Sequence, residues 1–440
     1  MGDETLFPLP PSGEMPGEVG VPGVARVLRA NRSQLEFRPV DLDGLSPADH
    51  RARMVWDFVQ GLNLAGFYAE ILSVEGHAGR PAIDPAILLS LWLYATLQGV
   101  GSARALARLC AEHDAYRWLA GGVSVNPHTL ADFRVGHVEK VDALLTQSVA
   151  SLLAADLVQL ERVAQDGVRV RASAGAASFR RQGKLEACLT EAQGQVEALR
   201  RELEEDPGAT SKRQAAARQR AAQERRERVA KALAQMPAVE AKKKAKDKDK
   251  ARVSTTDPES RVMKMADGGF RPAYNGQFAT DTKTQVVLGV DVNNQGNDLG
   301  QMQPMMEQIQ RRYGTEPAEW LVDGGFVDLG QIEQASERGC VVYAPVMQPR
   351  DPSRDPHQAL PGDSAAIAAW RARMGGEVAK GIYKARAATA ECVNAIARNR
   401  GLQQLRVRGA RRARAVLLWF ALAHNLMRGF ELRVMAAAGA

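Results

Sequence analysis

The chain has 440 residues, 45% hydrophobic and 25% charged, which is enough apolar content for ordinary globular cores and argues against overall disorder. No apolar run reaches the roughly 18–20 residues of a membrane span, no basic-then-apolar leader opens the chain, and Cys110, Cys188, Cys340 and Cys392 are too scattered for a zinc module or disulfide framework, so a cytoplasmic protein without membrane attachment is expected. The net charge of +7 conceals segregation: residues 171–252 hold 21 basic and 12 acidic side chains and residues 371–428 hold 13 and 2, a pattern that fits a polyanionic partner because Lys and Arg gain by releasing counterions from phosphate.

Five prolines and several glycines among the first 25 residues cannot supply a packed core, and 1–35 is read as a flexible tail. The next region is read as a helical domain over 36–160, its pattern helical from about 47 onward. Trp56, Val59, Leu62 and Leu64 lead into Phe67, Tyr68 and Ile71, and Pro85 opens a helix through Leu88, Leu89, Leu91, Trp92 and Leu93. Ser102 and Asn126 read as N-caps, the latter followed by Pro127 at the first helical position.

The texture changes at Val163. Strand signals appear at Val168 and Val170, over 286–292, over 320–322 and over 341–346. Between them, Met302, Met305, Met306 and Ile309 form a helical stripe closed by Gly314, and Ile332 and Ala335 mark a short helix before Gly339. Helices over about 364–432 complete an α/β layer fold for 161–440.

One segment, 181–252, interrupts that fold. Leu185, Leu189, Ala192, Val196, Leu199 and Leu203 form a heptad seam, Asp206, Pro207 and Gly208 supply a turn, and Ala215, Ala222, Val229 and Met236 return at seven-residue spacing. The spacing predicts an antiparallel coiled-coil hairpin about 30 Å long, at 1.5 Å per residue, followed by a flexible basic linker over 242–250.

Three carboxylates stand out. Asp166 lies in QDGVRVRASAG beside Gly167, and Asp323 closes WLVDGGF before two glycines. Glu391 lies on a helix whose α spacing puts Ala387, Asn394 and Arg398 on its face. Carboxylates from separated positions can hold Mg²⁺, a hard cation that prefers oxygen. Asp281, Asp291 and Asp298 read more simply as turn, edge or pre-helix residues, and the isolated His128 and His424 as packing residues. The arginines of 398–414 have no acid within their own segment, so Arg408, Arg411 and Arg412 are candidate phosphate contacts.

The series DGVRVRASAG, YNGQFATDTKTQVVLGVDV, EWLVDGGF and Y-x2-R-x4-E resembles the DDE transposases of bacterial insertion sequences. GRPAIDPAILLSLWLYA, GSARALARLC, AYRWLAGG and NPHTLADFR are similar to the helical N-terminal domain of the InsH-like group. The resemblance covers about 40–430 and implies a helical DNA-binding domain over 36–160 before an RNase H-like catalytic core. It implies Asp166, Asp323 and Glu391 as catalytic metal ligands, Mg²⁺ as cofactor with Mn²⁺ as substitute, and Tyr383, Arg386 and Arg398 as DNA contacts. Arg398 stands where the family has Lys, which keeps the charge but changes donor geometry. The implied activity is binding of terminal inverted repeats and two-metal cleavage and transfer of double-stranded DNA by a homodimer. An inert DNA-binding or scaffolding relative and a structure-selective nuclease are the alternatives.

Overall fold

The computed structural model describes residues 41–439 except 75, 77–79, 206–210, 350 and 352. The expected tail, 1–35, and the expected turn at Asp206, Pro207 and Gly208 lie outside the described residues.

Among the described residues seven α-helices come first: α1 (Arg51–Gln60), α2 (Ala65–Tyr68), α3 (Pro85–Leu97), α4 (Ala103–Glu112), α5 (Asp114–Ala120), α6 (Pro127–Gly136) and α7 (Val138–Ala154). Their starts follow local chemistry. Asp84 accepts the Ala86 N–H ahead of α3, Ser102 accepts from Ala105 ahead of α4, and Asn126 accepts from His128 and Thr129 ahead of α6. Pro85 and Pro127 occupy first-turn positions, where the missing N–H costs nothing. Every residue from Leu88 to Ala95 is buried, as expected of a helix packed on all sides.

The sheet begins with β1 (Arg162–Arg171); β2 (Phe179–Arg180) then leads into α8 (Gln182–Glu205) and α9 (Lys212–Ala241). These two helices run antiparallel, since Glu202 pairs with Arg218 and Glu191 with Arg225, while Leu185 packs in one cluster with Met236. The chain returns through β3 (Val253–Ser254), which pairs with β2. Within the expected flexible linker, Ala245–Lys250 instead forms a 3-10 turn closed by a Lys250–Asp247 pair at 2.9 Å.

The remaining elements are β4 (Arg261–Lys264), β5 (Phe270–Asp281), β6 (Val287–Asn293), α10 (Met302–Tyr313), β7 (Glu319–Leu321), α11 (Leu329–Glu337), β8 (Val341–Tyr343), α12 (Ala365–Gly375), α13 (Glu377–Arg386), α14 (Cys392–Asn399) and α15 (Ala410–Gly439). The mixed sheet has β1 at its centre, antiparallel to β5 and parallel to β7, with β8 parallel to β7. β4 and β6 pair in turn with β5, both antiparallel.

Alternation along β5 decides what covers each face. Tyr274 and Phe278 join the core built on α15, where a Cβ on Gly276 would come within 2.3 Å of Leu417. On the other face, Ala279 packs with the methionine stripe of α10. The α15 core also takes in α1, α3, α6 and α7, so the helical region and one face of the sheet share a single apolar interior. No helix among the described residues is long and apolar enough to cross a membrane.

Candidate active site

Asp166 stands in mid-strand on β1, opposite Phe278 of β5, and so points to the face that carries α14 and α15. Its Oδ1 accepts the Gly167 N–H at 2.9 Å and its Oδ2 accepts the Asn394 amide of α14 at 2.9 Å. Gly167 points to the opposite face, where a Cβ would lie 2.3 Å from Asp298 Oδ1 and 2.9 Å from Asn275 Oδ1. Glycine is therefore required there by a close approach.

Asp323 follows β7 and caps the 3-10 turn Gly324–Phe326, its Oδ1 accepting the Gly325 N–H at 2.7 Å. A Cβ on Gly325 would sit 3.0 Å from that oxygen, tighter than an ordinary contact.

Glu391 ends a π-helical turn, Ala387–Glu391, set between α13 and α14. This corrects the helix face read from α spacing. A π turn closes i→i+5 rather than i→i+4 hydrogen bonds, and Arg386, five residues before Glu391, is the side chain that meets the carboxylate. Arg386 Nη2 donates to Glu391 Oε1 at 2.7 Å, and its Nη1 lies 3.9 Å from Asp166 Oδ1. The Tyr383 ring stands beside the same guanidinium, 5.8 Å from its centre.

Charge ties these groups together. Burial, with the neighbouring Asp323 and Asp298 carboxylates, pushes the Asp166 carboxyl up to about 6 against the pull of Arg386. Burial pulls the Arg386 guanidinium down, but Tyr383, Asp166, Asp323 and Glu391 outweigh it and raise its pKa. Burial likewise raises the Tyr383 hydroxyl.

Among the described residues no three His, Cys, Asp or Glu side chains are arranged to hold a metal ion; Glu391 faces a cation already present in the chain. The donor chemistry nevertheless fits a hard divalent ion. Asp166 and Asp323 offer only oxygen, their mutual repulsion would be relieved by added positive charge, and the buried Oδ1 of Asn394 beside Asp166 has no partner.

Asp298 is better placed than its pre-helix reading suggests. It is buried, and its Oδ1 accepts the amides of Asn275 at 2.7 Å and Gln277 at 2.6 Å. The Asn-x-Gln pair on β5 was the available signal, though nothing in the local sequence ties it to Asp298. Asp281 serves the β5–β6 turn by accepting from the Thr284 N–H and hydroxyl at 2.8 and 2.6 Å. His424 is buried against the Gln285 carbonyl at 2.8 Å, and burial holds it down at about 4.

The candidate DNA-contact arginines divide. Arg412 is exposed, and Arg408 makes only a 3.4 Å contact to the Ser173 carbonyl. Arg411 is exposed as well and pairs with Glu139 of α7 at 2.6 Å. The local sequence is acid-free, but the fold brings an acid from far upstream. Arg398 lines a cavity with other arginines.

Comparison with known families finds two matches in chain order. The family described as "Transposase domain (DUF772)" matches residues 40–135, and that described as "Transposase DDE domain" matches residues 239–426. Together they span about two thirds of the chain; the second contains Asp323, Tyr383, Arg386 and Glu391 and begins after Asp166. No curated protein and no solved structure matches. Transposases of this kind act on DNA and generally use a divalent metal. The chain belongs to the DDE transposases of insertion sequences and is a DNA transposase.

Proposed function

We propose that this transposase binds the terminal inverted repeats of its own element and cleaves and joins DNA strands at a site made by Asp166, Asp323 and Glu391 on an RNase H-like core. The observation that carries the reading is the single guanidinium, Arg386, that contacts both Asp166 and Glu391 while sensing the charge of Asp323. The three carboxylates would hold the divalent metal, with Mg²⁺ the physiological ion and Mn²⁺ a substitute. When bound, two such ions activate the attacking water or 3′-hydroxyl and stabilise the leaving oxygen of an in-line displacement.

The chain's own groups have distinct tasks in this reading. Arg386 holds Glu391 in the absence of DNA and turns to a strand phosphate when Glu391 swings toward Asp166. Asn394 fixes the Asp166 carboxylate through its amide, and Tyr383 limits where Arg386 can move. Arg398, Arg408 and Arg412 hold the backbone of double-stranded DNA, without reading sequence. The segments 36–160 and 161–440 act as DNA-binding and catalytic domains, and α8 with α9 acts as a coiled-coil arm pairing two protomers in the cytoplasm.

Asp166→Asn, Asp323→Asn and Glu391→Gln are each expected to lower Mg²⁺-dependent cleavage of the element's ends by at least 100-fold while leaving end binding within about threefold, since they remove metal ligands without removing phosphate contacts. Single-turnover cleavage beside filter binding measures both. Parallel loss of binding and folding in all three would make the carboxylates structural; retained cleavage would remove them from the chemistry. Cleavage absent already in the wild type, with end binding intact, would favour the inert relative.

A further inference from the structure

Away from the carboxylates, the loop after α3 and the segment joining α14 to α15 border a half-open cavity of about 600 Å³. Five arginines line it: Arg134 of α6, Arg171 at the end of β1, and Arg398, Arg400 and Arg406. No Asp or Glu does. None of the five has an ion-pair partner among the described residues. Among the described residues the acid whose charge bears on Arg400 is Glu431, which is itself paired with Arg428.

Two of these cations are expensive as they stand. Arg134 is 8% exposed, lies 4.5 Å over the Trp92 ring and donates to the Gly101 carbonyl at 2.7 Å, yet its Nε is buried without a partner. Arg400 Nη1 is buried and unpartnered as well. Burial lowers the pKa of both, Arg134 to about 10, and Arg51 adds like charge at Arg400. Buried charge without a counter-charge is destabilising, so the cluster is built for something that is not in the chain.

The walls are fixed by backbone. Gly99 and Gly401 both adopt positive φ, and a Cβ on Gly401 would lie 3.1 Å from the Gly99 carbonyl oxygen. The two glycines thus allow the α3–α4 loop to meet the end of α14 at the cavity. Ser102, which caps the ten-residue α4, is also in its lining, placing a helix N-terminus toward the space.

We propose that this cavity is a phosphate-binding site, and that the phosphate it takes belongs to a DNA strand running on from the carboxylates. Arg398 follows Glu391 by seven residues, about 10 Å of helical rise. That distance corresponds to about three nucleotides at 3.4 Å each. A strand in this position would touch the helical region and the catalytic sheet at once and so couple them. The source of the phosphate rests on the DNA reading above; the site itself does not.

The test uses the full chain in two arms, with Arg134→Gln, Arg400→Gln and Arg406→Gln as variants; should Arg134→Gln fail to fold, the other two carry the same reading. In the first arm, inorganic phosphate or pyrophosphate replaces chloride at constant ionic strength and thermal unfolding is followed. The expected result is a phosphate-specific rise in Tm in the wild type that is absent or at least halved in the variants. In the second arm, duplex DNA from the element's end is titrated at several salt concentrations, and each variant should flatten the slope of log K against log salt by about 0.9. Phosphate stabilisation with unaltered DNA slopes would support the site and overturn the strand as its occupant. No phosphate-specific stabilisation together with unaltered slopes would overturn the proposal. Neither arm involves cleavage, so loss of the catalytic reading leaves both results interpretable.

Discussion

Asp166 shows how much one carboxyl depends on its surroundings. The Asp-Gly dipeptide was visible in the sequence, but by itself that pair usually marks a turn; its meaning comes from Asn394, 228 residues away, and from Asp298 behind Gly167. Burial and two neighbouring carboxylates put its folded pKa at about 6, against about 3.9 in an unfolded chain. The folded state therefore binds more protons than the unfolded state between those values. Stability from the protonated group is fully present below about pH 4 and is lost as pH rises through about 6. Metal-free protein should lose up to about 3 kcal/mol from this group over that interval, two units at 1.36 kcal/mol each. Urea unfolding in EDTA from pH 4 to 7.5 measures it. Asp166→Asn should be flatter with pH than the wild type; equal slopes would show that Asp166 ionises at no cost.

At the level of elements, legibility followed the strength of local signals. Helix starts at Pro85, Ser102 and Asn126 could be read because a first-turn proline, or a cap with its N–H partners within three residues, marks each. β5 is far less legible although it is the longest strand among the described residues: Pro272, Asn275, Gly276 and Gln277 dilute its β-branched character, and the last three answer to tertiary neighbours, Leu417 over Gly276 and Asp298 on the two amides. The π turn was invisible because α spacing assumes a constant period. For α8 and α9, burial is concentrated at the base, where Leu185, Ala232, Met236, Ala251 and Val253 form a cluster separate from both larger cores. Further out the seam holds Ala192, Ala222 and Val229 as its buried members. Replacing 193–228 by a four-residue Gly/Ser turn should therefore leave the main thermal transition within about 3 °C of the wild type, because it removes little buried apolar area. A collapse of the melt would show that the distal helices stabilise the sheet.

For the molecule as a whole, charge segregation was legible in the sequence and its pairing was not. The basic segment around 398–414 contains no acid, yet Arg411 meets Glu139 and Arg414 meets Asp142, both on α7. These pairs join the start of α15 to the helical region and neutralise two of the segment's charges. Arg408 and Arg412 keep theirs. Each phosphate contact contributes about 0.9 to the slope of log K against log salt for duplex DNA. Arg408→Gln with Arg412→Gln should flatten that slope by about 1.8 and weaken binding to all sequences alike, whereas Arg411→Gln should leave the slope nearly unchanged. Surface pairs are worth about 0–1 kcal/mol, so Arg411→Gln should also shift stability only slightly. Filter binding at four or more salt concentrations, beside a urea melt, separates the two cases. An unchanged slope in the double variant would make Arg408 and Arg412 a solvated face. A slope reduced by about 0.9 in Arg411→Gln would show instead that DNA displaces Glu139, which would turn the α7–α15 ion pair into a contact that opens when the helical region and the catalytic sheet take hold of the same duplex.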